Sequence, residues 1–116
     1  MNTIRASHLL KVVLAMSCVG AMLSVQAQEV DVAAAEALAK KSNCTKCHSV
    51  SAKKDGPAYK VTAEKFKGKA DAEATLIKHL KTGPKIKIDG VEEEHQIVKS
   101  KDDAEIKNLV RYILSR

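Results

Sequence analysis

Large aromatic side chains are scarce in this sequence of 116 residues, which has no tryptophan, one phenylalanine and two tyrosines. Proline occurs only twice, and no repeat or low-complexity run is apparent. A chain of this length accommodates one domain. It is too short for a doubly wound nucleotide-binding fold or an α/β barrel. The formal charge of +6 is the one bulk property that suggests a nucleic-acid partner.

The one long apolar run lies at the start of the chain, where residues 1–27 have the order of a secretory signal peptide. Arg5 and Lys11 precede the apolar stretch, and the small residues of Val25-Gln26-Ala27 follow it. We therefore predict cleavage after Ala27, export to the periplasm and a mature domain of residues 28–116.

Two other interpretations of this run are weaker. A membrane anchor needs about 20 apolar residues, and residues 12–25 are too few. Cys18 is a poor lipoprotein site, because the three residues before it, Ala15-Met16-Ser17, do not suit lipoprotein processing. We expect no stable membrane insertion once the signal peptide is removed.

The predicted mature chain has 89 residues, with 18 Lys and Arg against 14 acids, so its net charge falls to +4. Export and this lower charge argue against nucleic acid as a partner. Only 21 apolar side chains larger than alanine and cysteine remain, which is a thin core. Domains this small often need disulfides, a metal or a bound group. All three methionines leave with the signal peptide.

The pattern of the remaining chain predicts an all-α fold. Capping residues and helical spacing indicate four helices, at Asp31–Lys41, Ala58–Lys67, Asp71–Thr82, and from Ser100 to the end of the chain. The stretch Lys85–Lys99 is interpreted as an ordered loop. Ile86 and Ile88 alternate with lysine there, which leaves a short strand as the alternative.

The sequence Cys44-Thr45-Lys46-Cys47-His48 carries the chemistry. C-x-x-C-H is the attachment signature of a c-type haem. The two thiols add to the two vinyl groups of one haem, and His48 becomes the proximal iron ligand. The export signal is independent evidence, because this attachment takes place in an exported compartment. A haem is also a large apolar plate around which a thin core can pack.

Three other uses of this motif fit less well. A thioredoxin-like site normally lies beside βαβ structure, of which the sequence shows no sign. A zinc site needs four ligands, and Cys44 and Cys47 have only two of His48, His79 and His95 to join them. A disulfide between the two cysteines would close a small, strained loop.

Beyond this motif, the chain resembles the short bacterial class I cytochromes c over nearly all of residues 31–116. The shared stretches are Asp55-Gly56-Pro57-Ala58-Tyr59-Lys60, Phe66-Lys67-Gly68-Lys69, Leu80-Lys81-Thr82-Gly83 and residues 108–115. The resemblance implies about four short helices around one covalent haem, with crossing N- and C-terminal helices. It also implies that the Pro57 carbonyl bonds to His48 and that His79 contacts a haem propionate. The alternative for His79 is a solvated position on the surface.

The chain departs from this family at the sixth iron ligand. The family uses a methionine in a proline-rich loop before the last helix, and no methionine follows residue 27. Counted back from Asp102-Asp103, that position falls on His95. We therefore predict iron ligation by His48 and His95. Two imidazoles give a lower reduction potential than a methionine and histidine pair.

Other arrangements at the iron stay open at this point. His79 is an alternative sixth ligand, as are Lys85, Lys87 and Lys99, and the iron could also be five-coordinate beside a free His95. A second hypothesis is that the charge of Glu92–Glu94 favours a protonated, unligated His95, so that its ligation loosens at low pH or on reduction. The alternative is that these glutamates are only a solvated stretch.

The sequence favours an electron carrier rather than an enzyme, because it shows no acid–base pair and no substrate pocket. Lysines near the haem motif are expected to form a basic rim that docks acidic redox partners: Lys46, Lys53, Lys54, Lys60, Lys85 and Lys87. Two alternatives are a haem subunit of a larger periplasmic dehydrogenase, and a ligand-binding or catalytic haem protein with a displaceable sixth ligand.

Overall fold

The computed structural model describes residues 28–116, so the predicted signal peptide and Cys18 lie outside the described residues. Five helices and one hairpin follow in order: α1 (Val32–Lys41), α2 (Cys44–Cys47), α3 (Tyr59–Phe66), α4 (Ala72–Thr82), β1 (Lys85–Ile88), β2 (Val91–Glu94) and α5 (Asp103–Leu114). The helical fold class is confirmed, and the additional helix is the single turn α2. Within this part of the chain, no helix has the length and apolarity needed to cross a membrane.

Helix α5 is the centre of the core, because α1, α3 and α4 all pack against it. Ile106, Leu109, Val110 and Ile113 are buried at the helical spacing predicted from the sequence. Leu114, also predicted by that spacing, is only half-buried, and Tyr112 is buried in addition. The ring of Tyr59 from α3 meets the ring of Tyr112 edge-on, with centroids 6.1 Å apart. A helix that comes late in the chain therefore organises the elements before it.

Side-chain hydrogen bonds tie α1 to α5. The backbone N–H of Asp31 donates to Oδ1 of Asn108 at 2.9 Å, and Nδ2 of Asn108 donates to the Asp31 carbonyl at 2.8 Å. One turn further along each helix, the Tyr112 hydroxyl donates to the Glu36 carboxylate at 3.0 Å. These bonds join residues more than 70 positions apart in the sequence.

The loop interpretation of Lys85–Lys99 is wrong over residues 85–94, which form the antiparallel β1–β2 hairpin. The hairpin turns at Asp89 and Gly90, whose φ angles of 50° and 84° are both positive. Two positive φ angles define the type I′ turn, for which Asp-Gly is a preferred pair. That dipeptide, together with the alternation at Ile86 and Ile88, was the available sequence signal for a hairpin.

A charged cluster joins α4 to α5. The Glu73 carboxylate lies 3.0 Å from Nε of Arg111 and 3.3 Å from Nζ of Lys107. Desolvation opposes ionisation of Glu73, but hydrogen bonds and positive charge from Arg111 and Lys107 outweigh it and lower the pKa of the carboxyl. The ionised Glu73 carboxylate therefore stabilises the fold at pH values above the ordinary pKa of a glutamate. This stabilisation is lost as the pH falls through the lowered pKa.

We expect Glu73→Gln to reduce the free energy of unfolding at pH 7 by about 0.2–1 kcal/mol, the range measured for surface ion pairs. The difference from the unmodified protein should shrink as the pH falls below the carboxyl's ordinary value of 4.5. Urea unfolding of the holoprotein at several pH values measures this. The control is Glu64→Gln, whose partner Lys67 is exposed and 3.7 Å away. A pH-independent loss in Glu73→Gln would contradict the assignment.

Candidate functional site

A cavity of about 610 Å³ lies between the cysteine motif, α3, α4 and the hairpin. This volume is within the range of about 300–1,000 Å³ typical of cofactor sites. Much of its wall is apolar, supplied by Tyr59, Val61, Phe66, Leu76, Leu80, Ile86, Ile88 and Ile113. The cavity is also bordered by every cysteine and histidine predicted for the site: Cys44, Cys47, His48, His79 and His95.

The single turn of α2 presents both cysteines to the cavity. It follows Asn43, whose φ of 61° is in the left-handed region, and it ends where the His48 N–H donates to the Cys44 carbonyl at 2.9 Å. Both thiols are free. Burial is the main cause that raises the pKa of the Cys44 thiol. Two unpaired thiols on one turn are suited to covalent attachment of a single group.

The structure does not support the other uses of the motif. The described strands form only an antiparallel hairpin, so Cys44 and Cys47 do not lie in a βαβ unit. Between residues 28 and 116, no cluster of three or more histidine, cysteine or acidic side chains has an arrangement that could hold a metal ion. The free thiols are also unlike a disulfide.

Backbone contacts fix the ring of His48. Nδ1 of His48 lies 2.7 Å from the Pro57 carbonyl and donates to it, which leaves Nε2 as a lone-pair donor. The Gly56 N–H donates to the Cys47 carbonyl at 2.8 Å and draws this loop close. The ring of Tyr59 stacks on the His48 ring at a centroid distance of 5.7 Å.

Gly56 is needed because the His48 ring passes close to its Cα. A methyl group at this position would lie 2.7 Å from Nδ1 of His48 and nearer still to Cε1. The sequence contained this residue within the Gly-Pro pair, but the reason for the glycine becomes evident only from the packing. Tyr59 is similar, because its stacking on His48 could not be inferred from the sequence.

His95 lines the same cavity as His48, and the centroids of the two rings are 6.0 Å apart. Nδ1 of His95 donates to the Gln96 carbonyl at 2.8 Å, so Nε2 is again left free. Burial lowers the pKa of His95 and the nearby His48 lowers it further, against the opposing effect of the Gln96 bond. Glu92–Glu94 are exposed and are not among the causes of this shift, which agrees with the alternative that they are a solvated stretch.

The end of the hairpin holds His95 in place. The His95 N–H donates to the Pro84 carbonyl at 3.0 Å, which closes the base of the hairpin. Three residues later, the Val98 N–H donates to the Leu80 carbonyl at the end of α4, at 2.9 Å. The segment that carries His95 is thus attached on both sides to α4 and the residues just after it.

His79 projects from the last turn of α4, and its ring meets the His95 ring edge-to-face at 4.3 Å between centroids. Burial is the main cause that lowers the pKa of His79, followed by the charges of His95, His48 and Lys65. Of the lysines considered as ligands, Lys85 pairs with Glu92 at 2.8 Å, and Lys87 borders the cavity. The predicted propionate contact of His79 stays a prediction.

These residues fit a covalently bound haem. The cavity is large and mainly apolar, two free thiols lie on one turn, and the imidazole that follows them has a free Nε2. Gly56 leaves space for that imidazole.

Comparisons with known proteins give the same picture. Residues 32–116 match the model of the cytochrome c family. The crystal structure of the class 1 cytochrome MtoD from Sideroxydans lithotrophicus ES-1 is 56% identical with a TM-score of 0.72, over 75% of this chain and 97% of that one. Cytochrome c-552 of Hydrogenobacter thermophilus is 42% identical over 69% of this chain and 79% of its own length. Cytochrome c-551 of Pseudomonas aeruginosa is 48% identical over 41% of this chain, and the match spans 46% of that protein.

We expect Gly56→Ala to displace the His48 ring and weaken its bond to Pro57, so the absorption spectrum of the holoprotein changes and haem incorporation falls. Gly68→Ala is the matched control. Gly68 has a φ of 73° with nothing within 4 Å of an added methyl, so its substitution costs only backbone strain, about 1–2 kcal/mol. The control should lose stability and keep its spectrum. If Gly56→Ala keeps the spectrum of the unmodified protein, as Gly68→Ala should, then the His48 ring does not require a glycine at position 56.

Proposed function

The chain belongs to the cytochrome c family of electron-transfer haem proteins, and on that basis we propose that it is an exported single-haem carrier whose iron is bound by His48 and His95. The observation that carries this proposal is the placement of the two histidine rings on the cavity, 6.0 Å apart. Every other candidate for the sixth ligand in the described part of the chain lacks either a place on the cavity or an imidazole ring that is hydrogen-bonded to a carbonyl.

The spacing of the two rings suits one metal ion between them. A metal–imidazole bond is about 2 Å long and the ring centre lies about 1 Å behind the nitrogen, so two rings on one ion have centroids about 6 Å apart. Metal-bound histidines usually donate their other N–H to a carbonyl or carboxylate. His48 and His95 both do so, to Pro57 and Gln96. Within the described residues, the ring of His79 makes no such bond.

The haem supplies the redox chemistry when bound, as iron changes between the ferric and ferrous states. Residues of the chain attach the haem, bind its iron and exclude water from it. Cys44 and Cys47 anchor the group, His48 and His95 hold the iron, and the apolar cavity wall keeps water away from it. Imidazole favours ferric iron more than a thioether does, so we propose a lower potential than that of relatives with a methionine ligand.

The proposed docking surface lies beside the cavity. A cleft of about 570 Å³ is lined by Lys53, Lys54 and Lys87 together with the exposed Val61. Asp55 and Asp89 also line it, which leaves one net positive charge. We propose that acidic redox proteins dock here, with an association rate that falls as salt is added. Lys85, the other hairpin lysine of the predicted rim, is engaged by Glu92.

We expect His95→Ala to convert low-spin iron to high-spin iron in the ferric protein and to let CO bind rapidly to the ferrous protein. His95→Met should keep the iron low-spin and raise the potential by on the order of 0.1 V, within the span of about 0.8 V that axial ligands control. Optical and EPR spectra with a redox titration measure both. Lys99→Ala is the control and should match the unmodified protein. An unchanged spectrum in His95→Ala would show that another residue is the ligand.

We propose that residues 1–27 direct export and are then removed. The protein recovered from the periplasm should have the mass of residues 28–116 plus one haem, as measured by mass spectrometry. Ala27→Arg places a large charged side chain at the cleavage position and should leave the longer chain uncleaved. Recovery of the unmodified protein with residues 1–27 attached would contradict the proposal.

A further inference from the structure

We propose that His79 is a positioning residue that fixes the rotation of the His95 imidazole about its Cβ–Cγ bond. This inference rests on the proposed ligation of iron by His48 and His95. It assigns the contact between His79 and His95 a role of its own, separate from any contact of His79 with the haem.

The contact between these two rings is close. Their centroids are 4.3 Å apart and their planes are inclined by 67°, which is the edge-to-face arrangement that flat rings favour. The His79 ring therefore packs against one side of the His95 ring, and His79 is itself half-buried where it lines the cavity.

The backbone holds both rings at this separation. The Gly83 N–H donates to the His79 carbonyl at 3.1 Å and ends α4, and the His95 N–H donates to Pro84 at 3.0 Å. Gly83 packs so tightly that a methyl group there would lie 2.6 Å from the His95 carbonyl oxygen. The segments that carry the two rings thus cannot move apart without breaking several contacts.

The hydrogen bond of His95 does not by itself fix the ring. Torsions between a tetrahedral carbon and a flat ring have broad minima, so His95 can rotate about Cβ–Cγ over a wide range at little cost. Its hydrogen bond to the adjacent Gln96 carbonyl selects the tautomer and restrains the ring from one edge only. His79 supplies the steric limit that the hydrogen bond lacks.

The orientation of the His95 ring has an electronic consequence. The planes of His48 and His95 are inclined by 48°. In ferric haem, the splitting of the iron d orbitals depends on the angle between the two imidazole planes, and the EPR g values report that splitting. A freely rotating ligand gives a distribution of g values, whereas a fixed ligand gives one set.

The test is EPR spectroscopy of the ferric holoprotein with two variants of His79. His79→Ala should stay low-spin but show broadened or multiple g values, because the ring that packs against His95 is gone. His79→Phe keeps a flat ring of similar size and should restore the single set of the unmodified protein. Lys78→Ala, which removes an exposed side chain from the same helix, is the control and should change nothing. If His79→Ala is not recovered with haem, His79→Val should show the same broadening.

Three results would overturn the inference. If His79→Ala has the g values of the unmodified protein, His79 does not restrain the ring. If His79→Phe resembles His79→Ala, the ring nitrogens matter rather than the packing, as in a propionate contact. If His79→Ala becomes high-spin, His79 is itself a ligand. Failure of the proposed ligation is seen separately, as low-spin iron that persists in His95→Ala.

Discussion

The hydrogen bond between Nδ1 of His48 and the Pro57 carbonyl is the interaction on which the site depends. It selects the tautomer that leaves Nε2 available, and it holds the ring over Gly56, where a side chain would collide with it. The same loop continues into α3, whose first residue donates its N–H to the Ser49 carbonyl at 2.9 Å. One short loop thus sets the ligand, the stacking of Tyr59 and the start of the next helix.

The two histidines that face each other are held by different kinds of contact. His48 is fixed by Pro57 and Tyr59, which lie nine and eleven positions away along the chain. His95 is fixed by other elements of the fold, because its segment is hydrogen-bonded to the end of α4 and to the residue that precedes β1. The position of His48 is therefore determined by a short motif, whereas that of His95 depends on the assembly of α4, β1 and β2.

This difference explains what could be predicted from the sequence. The cysteine motif, the buried face of α5 and the position of His95 follow from spacing, which a sequence contains. The hairpin was missed because its strands are polar and exposed, and only Asp89-Gly90 indicated the turn. The contact of His79 with His95 could not be predicted, because it depends on the close packing of Gly83, just after α4, against the backbone of His95. Burial, which a sequence does not show, is the main cause of the lowered pKa of His95, and the exposed Glu92–Glu94 are not among its causes.

The central place of α5 has a consequence for the order of events in the cell. Helices α1, α3 and α4 all bury their apolar faces on α5, which comes last among the described elements. A chain that is being made or translocated N-terminus first cannot complete its core until α5 has emerged. The core around α5 is therefore completed only after the cysteine motif and every other described element has been made.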